Sequence, residues 1–246
     1  MTTASDAIHS AATEPSHGLL ARAFGVLFSP RTTYAAIAGH PRPLGALIVV
    51  LFVSGAASFA FLSTEVGQLA LLDRQLTMME SFGVPMNEER LASIESTAPQ
   101  SAYFSLAGTL VVVPLVTVVV AGGGFFVFSG IMAGNASFKQ VFAIAAHSGF
   151  IIMLQVLFIT PLNYVRESMS SATSLGVFLP MVDAATFPGM LLGSIDFFRI
   201  WWIVSLSIGL GVLYKKRTAP VAWSLLAAYA VIVLIVAGVR SALSGA

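Results

Sequence analysis

Charged side chains are scarce in this chain of 246 residues. Asp, Glu, Lys and Arg make up only 9% of it, whereas an average soluble domain carries roughly 25%. Hydrophobic residues make up 57%. This composition leaves too few charges for the surface of a globular protein in water. The net charge of +1 and the scattered basic residues also exclude the basic stripe expected of a nucleic-acid-binding protein.

Cysteine is absent, and so are the short motifs of common catalytic centres. Without cysteine the chain has no disulfide, thiolate metal site or cysteine nucleophile. It lacks the patterns H-E-x-x-H, G-x-S-x-G, G-x-x-x-x-G-K and G-x-G-x-x-G. His9, His17 and His40 form no grouping typical of a metal site. We therefore predict a protein that is not an enzyme and needs no cofactor.

The chain contains several long runs of apolar residues. A run of roughly 18 or more apolar residues is long enough to cross a bilayer as a helix. Each crossing must be helical, because lipid cannot hydrogen-bond free backbone groups. We predict an all-α, polytopic integral membrane bundle of five transmembrane helices with short interfacial helices. The predicted spans are residues 44–64, 103–132, 138–160, 195–214 and 219–239.

Two further segments are predicted to lie at the membrane surface. The first is within a cytoplasmic N-terminal segment, residues 1–43, which precedes a transmembrane domain of residues 44–240. Its apolar residues recur at helical spacing and are expected to face lipid. The second is residues 176–193, which are apolar but interrupted by prolines and are expected to be interfacial or re-entrant. The residues of the first segment expected to face lipid are Leu20, Phe24, Leu27 and Phe28.

The orientation is predicted from lysine and arginine in the short flanks. Basic residues precede the first span and occupy the second and fourth connections, whereas the loop of residues 65–102 has six acids against two arginines. By the positive-inside rule the N-terminus is cytoplasmic and the C-terminus lies outside. Gly83 and Pro85 divide the acidic loop into two short helices. The basic residues concerned are Arg22, Arg31, Arg42, Lys139, Lys215, Lys216 and Arg217.

Three polar residues could mark a site inside the third span or at its end. His147 and Gln155 are eight residues apart and so lie on one helix face, and Asn163 follows after another eight. Polar residues at this depth mark either a transport pathway or hydrogen bonds that hold helices together. No second ionisable residue lies deep in any predicted span. The packing interpretation is therefore favoured.

Other polar and small residues are assigned structural roles first. Asp196 and Arg199 are predicted to form an interfacial ion pair, with a gate or ligand contact as the alternative. Lys215, Lys216 and Arg217 are predicted to fix the topology and to contact anionic lipid headgroups. The glycines at 122–124, and small residues four apart in the fourth span, favour close helix packing over a hinge. The small residues of the fourth span are Ser205, Ser207, Gly209 and Gly211.

Three stretches of the chain resemble the Yip family, named for interaction with Ypt/Rab GTPases, in its prokaryotic branch. They are RAFGVLFSPRTTYAAIAGHP, GNASFKQVFAIAAHSGF and IDFFRIWWIVSLSIGLGVLYKKRTAPVAWSLLAAYAVI. The resemblance implies a five-helix membrane domain with a cytosolic N-terminus, here in a bacterial inner membrane. The tyrosine-rich D-L-Y-G-P motif of the eukaryotic branch is missing. Rab binding and family site residues therefore do not carry over.

Two functions fit these observations. The first is a non-enzymatic membrane protein that organises membrane or acts as a scaffold through contacts with lipid, a membrane-protein partner or a second copy. The second is a small permease or transporter subunit that uses the polar face around His147 and Gln155. A water-filled cavity reaching His147 favours the second, and a tightly packed bundle around His147 favours the first.

Overall fold

The computed structural model describes residues 18–85, 87–179, 181–182 and 186–244, and the all-α prediction is confirmed there. A 3-10 turn at Ala98–Gln100 joins the fifth helix to the sixth, a π-helical turn at Phe126–Ile131 extends the sixth, and another 3-10 turn lies at Leu175–Phe178. The α-helices are α1 Leu19–Phe28, α2 Pro30–Gly39, α3 Pro43–Leu62, α4 Glu65–Ser81, α5 Glu88–Thr97, α6 Ser101–Phe125, α7 Phe138–Arg166, α8 Phe187–Ser194, α9 Phe197–Leu213 and α10 Thr218–Ser244.

Four helical stretches are long and apolar enough to cross a membrane: Pro43–Leu62, Glu88–Ile131, Phe138–Arg166 and Thr218–Ala242. They correspond to four of the five predicted spans, although the first two stretches end one or two residues before the predicted 44–64 and 103–132. The remaining one corresponds to α9, which has 17 residues and a length of about 25 Å. It is shorter than the predicted 195–214, because Asp196 caps its start and the chain turns at Tyr214.

Helix α7 is the centre of the bundle. It packs against α3, α6 and α9, and also against α1 and α2. Its first half is buried on nearly all sides, from Val141 to Ile151, whereas much of the second half is partly exposed. By contrast, α6 and α10 expose large apolar side chains such as Val111, Val119 and Ile235. The core therefore lies around the first half of α7, and α6 and α10 present apolar surface for lipid.

The N-terminal helices α1 and α2 dock into the bundle. Tyr34 and Ile37 of α2 are fully buried, and the Tyr34 hydroxyl lies 2.8 Å from Ser205 Oγ in α9. Burial raises the pKa of the Tyr34 phenol above its usual value. Gln140 Nε2 at the start of α7 donates to the Ala38 carbonyl at 3.0 Å. The two helices thus contribute side chains to the main core.

The predicted lipid-facing residues of α1 divide into two groups. Leu20, Phe24 and Phe28 are exposed, as predicted. Leu27 instead packs against the core, so its assignment was wrong. Arg22, on the opposite face from the exposed residues, is buried at 8% exposure. Its depth reflects the close docking of α1 on α7, which helical spacing alone does not predict.

Small residues let α9 approach its neighbours closely, as predicted. Ser205, Ser207, Gly209 and Gly211 are all buried. A Cβ placed on Gly209 would lie 2.4 Å from Ile144 Cγ2 and 3.1 Å from the Tyr34 ring. This face of α9 therefore fits against α7 and α2 only because it carries no larger side chains.

The glycines of α6 behave differently from those of α9. A Cβ on Gly122 or Gly123 would meet nothing within 4 Å, and one on Gly124 would make ordinary contact with Val141 and Leu210. The packing interpretation was therefore wrong for Gly122 and Gly123. The helix also continues through all three, since α6 ends only at Phe125.

The two ends of the bundle differ in charge. At one end, Arg31 donates to Thr218 Oγ1 at 3.3 Å, which joins the first flank to the turn between α9 and α10. We call this the basic end, and the opposite end, where α4, α5 and α8 lie, the loop end. The break between α4 and α5 falls at Gly83 and Pro85, as predicted. The basic end carries Arg31, Arg42, Lys139, Lys215, Lys216 and Arg217.

Gly209→Ala is expected to destabilise the bundle by about 1–3 kcal/mol, because the added methyl overlaps Ile144. The matched control is Gly122→Ala, where the added methyl meets nothing within 4 Å. The control should be neutral or stabilising by up to about 1 kcal/mol through helix propensity. Thermal unfolding of both purified variants in detergent measures the difference. Equal melting temperatures would contradict the close packing of α9.

Candidate functional site

A cavity of about 890 Å³ opens at the loop end. Its walls come from α4, α7, α8, α9, α10 and the segment between α7 and α8. Gln155 and Asn163 line it from α7, and Asp196 and Arg199 line it from α9. The fold therefore gathers four of the predicted polar residues into one place. We call this the loop-end cavity.

Asp196 forms the hydrogen-bonding centre of this cavity. Its side chain caps α9 by accepting from the backbone N–H groups of Phe198 at 2.9 Å and Arg199 at 3.2 Å. Gln155 Nε2 donates to it from α7 at 2.9 Å. The hydroxyls of Ser171 and Thr173 donate to its second oxygen. The carboxylate is only 2% exposed, so these donors replace its hydration.

Local sequence explains how the Ser171–Thr173 segment reaches Asp196. Residue Glu167 ends α7 in the left-handed conformation with φ 50°, which turns the chain back. The returning chain then forms an isolated antiparallel bridge between Ser174 and Asp196. Leu175 N–H donates to the Ile195 carbonyl at 2.9 Å, and Phe197 N–H donates to the Thr173 carbonyl at 3.1 Å. This short pairing holds both hydroxyls beside the carboxylate.

The ion pair predicted for Asp196 and Arg199 is replaced by a different contact. Arg199 approaches the carboxylate through its backbone N–H, and its side chain is exposed and lines the cavity. The first turn of a helix leaves N–H groups unsatisfied, and an Asp immediately before it is well placed to accept from them. The spacing of three residues is thus explained by capping, which the sequence interpretation did not weigh.

The predicted polar face of α7 is divided by the structure. Gln155 and Asn163 line the cavity, whereas His147 is fully buried two turns away and does not line it. His147 Nδ1 lies 2.7 Å from the Ala143 carbonyl of its own helix, and its ring meets Phe150 edge to face. His147 therefore bonds within its own helix, and the hydrogen bond expected to a neighbouring helix is not the one that this side chain makes. The neighbouring Ser148 has that role, since it accepts from Trp202 Nε1 at 2.9 Å.

Three arginines that sequence reasoning did not assign to a site also line the cavity. They are Arg74 of α4, Arg166 of α7 and Arg240 of α10, and Arg199 is the fourth. They lie far apart in the chain and follow no common spacing. A local pattern would not have revealed them, because the helix packing alone brings them together.

The other predicted residues lie at the opposite end of the molecule. Lys215, Lys216 and Arg217 are exposed in the turn between α9 and α10. Lys215 adopts φ 53°, and Lys216 N–H donates to the Gly211 carbonyl at 2.8 Å, so the turn is tight. Their side chains point away from the bundle core and contribute nothing to the cavity.

A helical bundle with apolar outer surfaces and four helices able to cross a bilayer is an integral membrane protein. Within that class, the family model for the Yip1 domain matches residues 24–239. The chain belongs to the Yip1-domain family. The match begins within α1, ahead of the domain boundary predicted at residue 43. No curated protein and no solved structure matches the chain.

Asp196→Ala is expected to lower the melting temperature more than Asp196→Asn. The alanine leaves two backbone N–H groups and the Gln155 amide without their acceptor, at a cost of about 1–3 kcal/mol or more. Asparagine keeps one oxygen for the helix cap, and the Ser171 and Thr173 hydroxyls can rotate to accept from its amide. Thermal unfolding in detergent separates the two variants. If both behave like the unsubstituted protein, the carboxylate does not organise the cavity.

Proposed function

We propose that this Yip1-domain protein acts without catalysis, through contacts with lipid and with a membrane-protein partner or a second copy of the chain. The observation that carries this proposal is the filled core between the loop-end cavity and the basic end. The lining residues nearest the basic end are Gln155 on α7, Arg199 on α9 and Tyr229 on α10. Beyond them, side chains of several helices interlock. A recess closed at its inner side suits binding better than passage.

Successive contacts close the core beyond the cavity. The Trp202 to Ser148 hydrogen bond joins α9 to α7 one turn past Arg199. The next contacts are between Tyr34 and Ser205, and around Gly209, where α2, α7 and α9 meet. The side chains of His147 and Ser148 are fully buried in this region. Water would have to displace well-packed groups to pass.

The permease alternative rests on the polar lining of the cavity itself. Gln155 and Asn163 are the residues of the predicted transport face that the cavity reaches. His147, the ionisable residue of that face, is separated from it by two helical turns and is enclosed by the core. A proton or substrate pathway through His147 would need a second arrangement of the bundle. The contact function requires no such change.

We further propose that α9 crosses the membrane as a fifth span. It runs antiparallel to α7 through three contacts, Gln155 with Asp196, Ser148 with Trp202 and Ile144 with Gly209. Beyond them, Gly124 of α6 lies beside both Val141 and Leu210. The matched stretch of α7 is about 21 Å long. With five spans, the basic end faces the cytoplasm by the positive-inside rule, and the loop end and C-terminus face outside.

We also propose that the protein belongs to the prokaryotic branch of the family and lies in a bacterial inner membrane. The resemblance to the prokaryotic branch of the family supports a location in a bacterial inner membrane. Without the D-L-Y-G-P motif, a GTPase partner has no support in this chain. Lys215, Lys216 and Arg217 at the basic end are placed to contact anionic lipid on the cytoplasmic side.

The closed core is tested with a matched pair of serine-to-cysteine variants, since the chain has no native cysteine. Ser170→Cys, which is exposed and lines the cavity, should react quickly with a small water-soluble methanethiosulfonate reagent applied to opened membranes. Ser148→Cys, whose parent side chain is 0% exposed, should stay unreactive until the protein is denatured. Reaction at both positions in the folded protein would overturn the contact function in favour of a pathway.

The topology is tested with four single cysteines, Ser170→Cys among them. Ser96→Cys and Ser170→Cys, at the loop end, should be labelled by an impermeant maleimide in intact cells. Ser137→Cys and Ala219→Cys, at the basic end, should be labelled only after the membrane is opened. Labelling of Ala219→Cys together with Ser170→Cys would show that α9 does not cross. Reversal at all four positions would keep five spans and overturn the orientation.

A further inference from the structure

Four guanidinium groups from four different helices share the loop-end cavity. Arg74 comes from α4, Arg166 from α7, Arg199 from α9 and Arg240 from α10. Like charges gathered around one space repel each other unless an opposite charge lies between them. Arginine also presents N–H donors in a planar fork that matches phosphate oxygens. An anionic ligand in the cavity would explain why these four arginines lie around one space.

The acids of the described lining do not neutralise these arginines. Among the described residues, two carboxylates line the cavity, those of Asp73 and Asp196. Asp196 is 2% exposed and already accepts from Gln155, Ser171, Thr173 and two backbone N–H groups. Asp73 is then the one carboxylate of the described lining without such a set of donors. Four arginines line the same cavity. The described lining therefore keeps an excess of positive charge.

Several polar groups of the lining also lack a full set of partners. Arg240 Nε is buried and has no hydrogen-bond partner among the described residues, although its guanidinium lies 5.0 Å above the Phe82 ring. Asn163, only 7% exposed, has an equally unpartnered Oδ1 atom. Within the described part of the chain, the Arg166 guanidinium donates to a neutral oxygen, Ser170 Oγ at 3.2 Å, and to no carboxylate. A ligand with both acceptor oxygens and a hydroxyl donor would satisfy these groups.

One wall of the cavity is apolar and continuous with the lipid-facing surface. Ile232 and Val236 of α10 line the cavity, and they are 58% and 47% exposed. Ile232 lies two turns and Val236 one turn before Arg240 on the same helix. A ligand whose polar end reached the arginines could therefore leave an acyl chain along α10, within the hydrocarbon. A free anion would make no use of this wall.

We propose that the loop-end cavity binds the phosphoryl headgroup of an anionic glycerophospholipid, with its acyl chains along the α10 wall. Arg74, Arg166, Arg199 and Arg240 donate to the phosphate, and the Asn163 carbonyl accepts from a headgroup hydroxyl. The inference deepens the contact function proposed above by naming the ligand class of its recess. The proposed lipid site lies at the loop end. Lys215, Lys216 and Arg217, which were predicted to contact lipid, lie at the opposite, basic end.

The test measures binding to the purified full-length chain in neutral detergent by tryptophan fluorescence and thermal shift. The probes are dihexanoyl phosphatidylglycerol, dihexanoyl phosphatidylcholine and inorganic phosphate. The cavity variant carries Arg199→Gln and Arg240→Gln, and the control carries Arg42→Gln and Lys139→Gln, which remove the same charge from exposed positions at the basic end. Arg74→Gln alone, on the exposed face of α4, keeps the test valid if the double variant does not fold.

Phosphatidylglycerol should bind more tightly than phosphatidylcholine. The cavity variant should weaken its binding roughly tenfold or more, and the control should not. Equal binding of the two lipids, or equal loss in cavity variant and control, would overturn the proposal. Saturable binding of inorganic phosphate that phosphatidylglycerol does not surpass would overturn the lipid assignment in favour of a free phosphate. A reactive Ser148→Cys with intact lipid selectivity would overturn the closed core alone.

Discussion

The hydrocarbon core of a bilayer offers no hydrogen-bond partner, and this constraint governs the polar contacts of the chain. Hydroxyls within the helices return to backbone carbonyls of their own helix, as Thr109 does to Ser105, Thr117 to Val113 and Ser207 to Ile203. Others join helices, as Ser205 does with Tyr34 and Ser148 with Trp202. Asp196 is the extreme case, because a buried carboxylate is costly unless several donors surround it.

The same constraint links packing to polarity around α7. Tyr34 with Ser205 and Trp202 with Ser148 each place a polar contact between helices that small residues have brought close together. Gly209 sets the depth to which Tyr34 and Ile144 can approach. These contacts fix the positions of α2, α7 and α9 relative to one another. The loop-end cavity is the space that remains where this interlocking stops and the donors gather on Asp196.

The sequence patterns predicted those features of the fold that depend on local composition. The apolar runs located the helices, Gly83 and Pro85 located the break between α4 and α5, and the small residues of α9 indicated its buried face. Docking of α1 and α2 was not predicted, because one apolar stripe serves equally well against lipid or against protein. Gln155 was singled out for its depth, yet its partner 41 residues away was not foreseen. Asp196 was paired with a nearby charge, although capping and the returning chain decided its contacts. The arginines of the cavity escaped notice because only tertiary packing makes them neighbours.

The placement of Tyr34 has a consequence for biosynthesis. Its binding slot is formed by Ser205 and Gly209 of α9 and by Ile144 of α7, and Ser205 is 171 residues further along the chain. The α9 part of this slot is therefore made after α7, which also packs against α1 and α2. Until α9 follows, the face of α2 that carries Tyr34 lacks this neighbour. Synthesis of α9 thus completes the enclosure of Tyr34, and a chain truncated before it would leave the Tyr34 hydroxyl without the Ser205 partner.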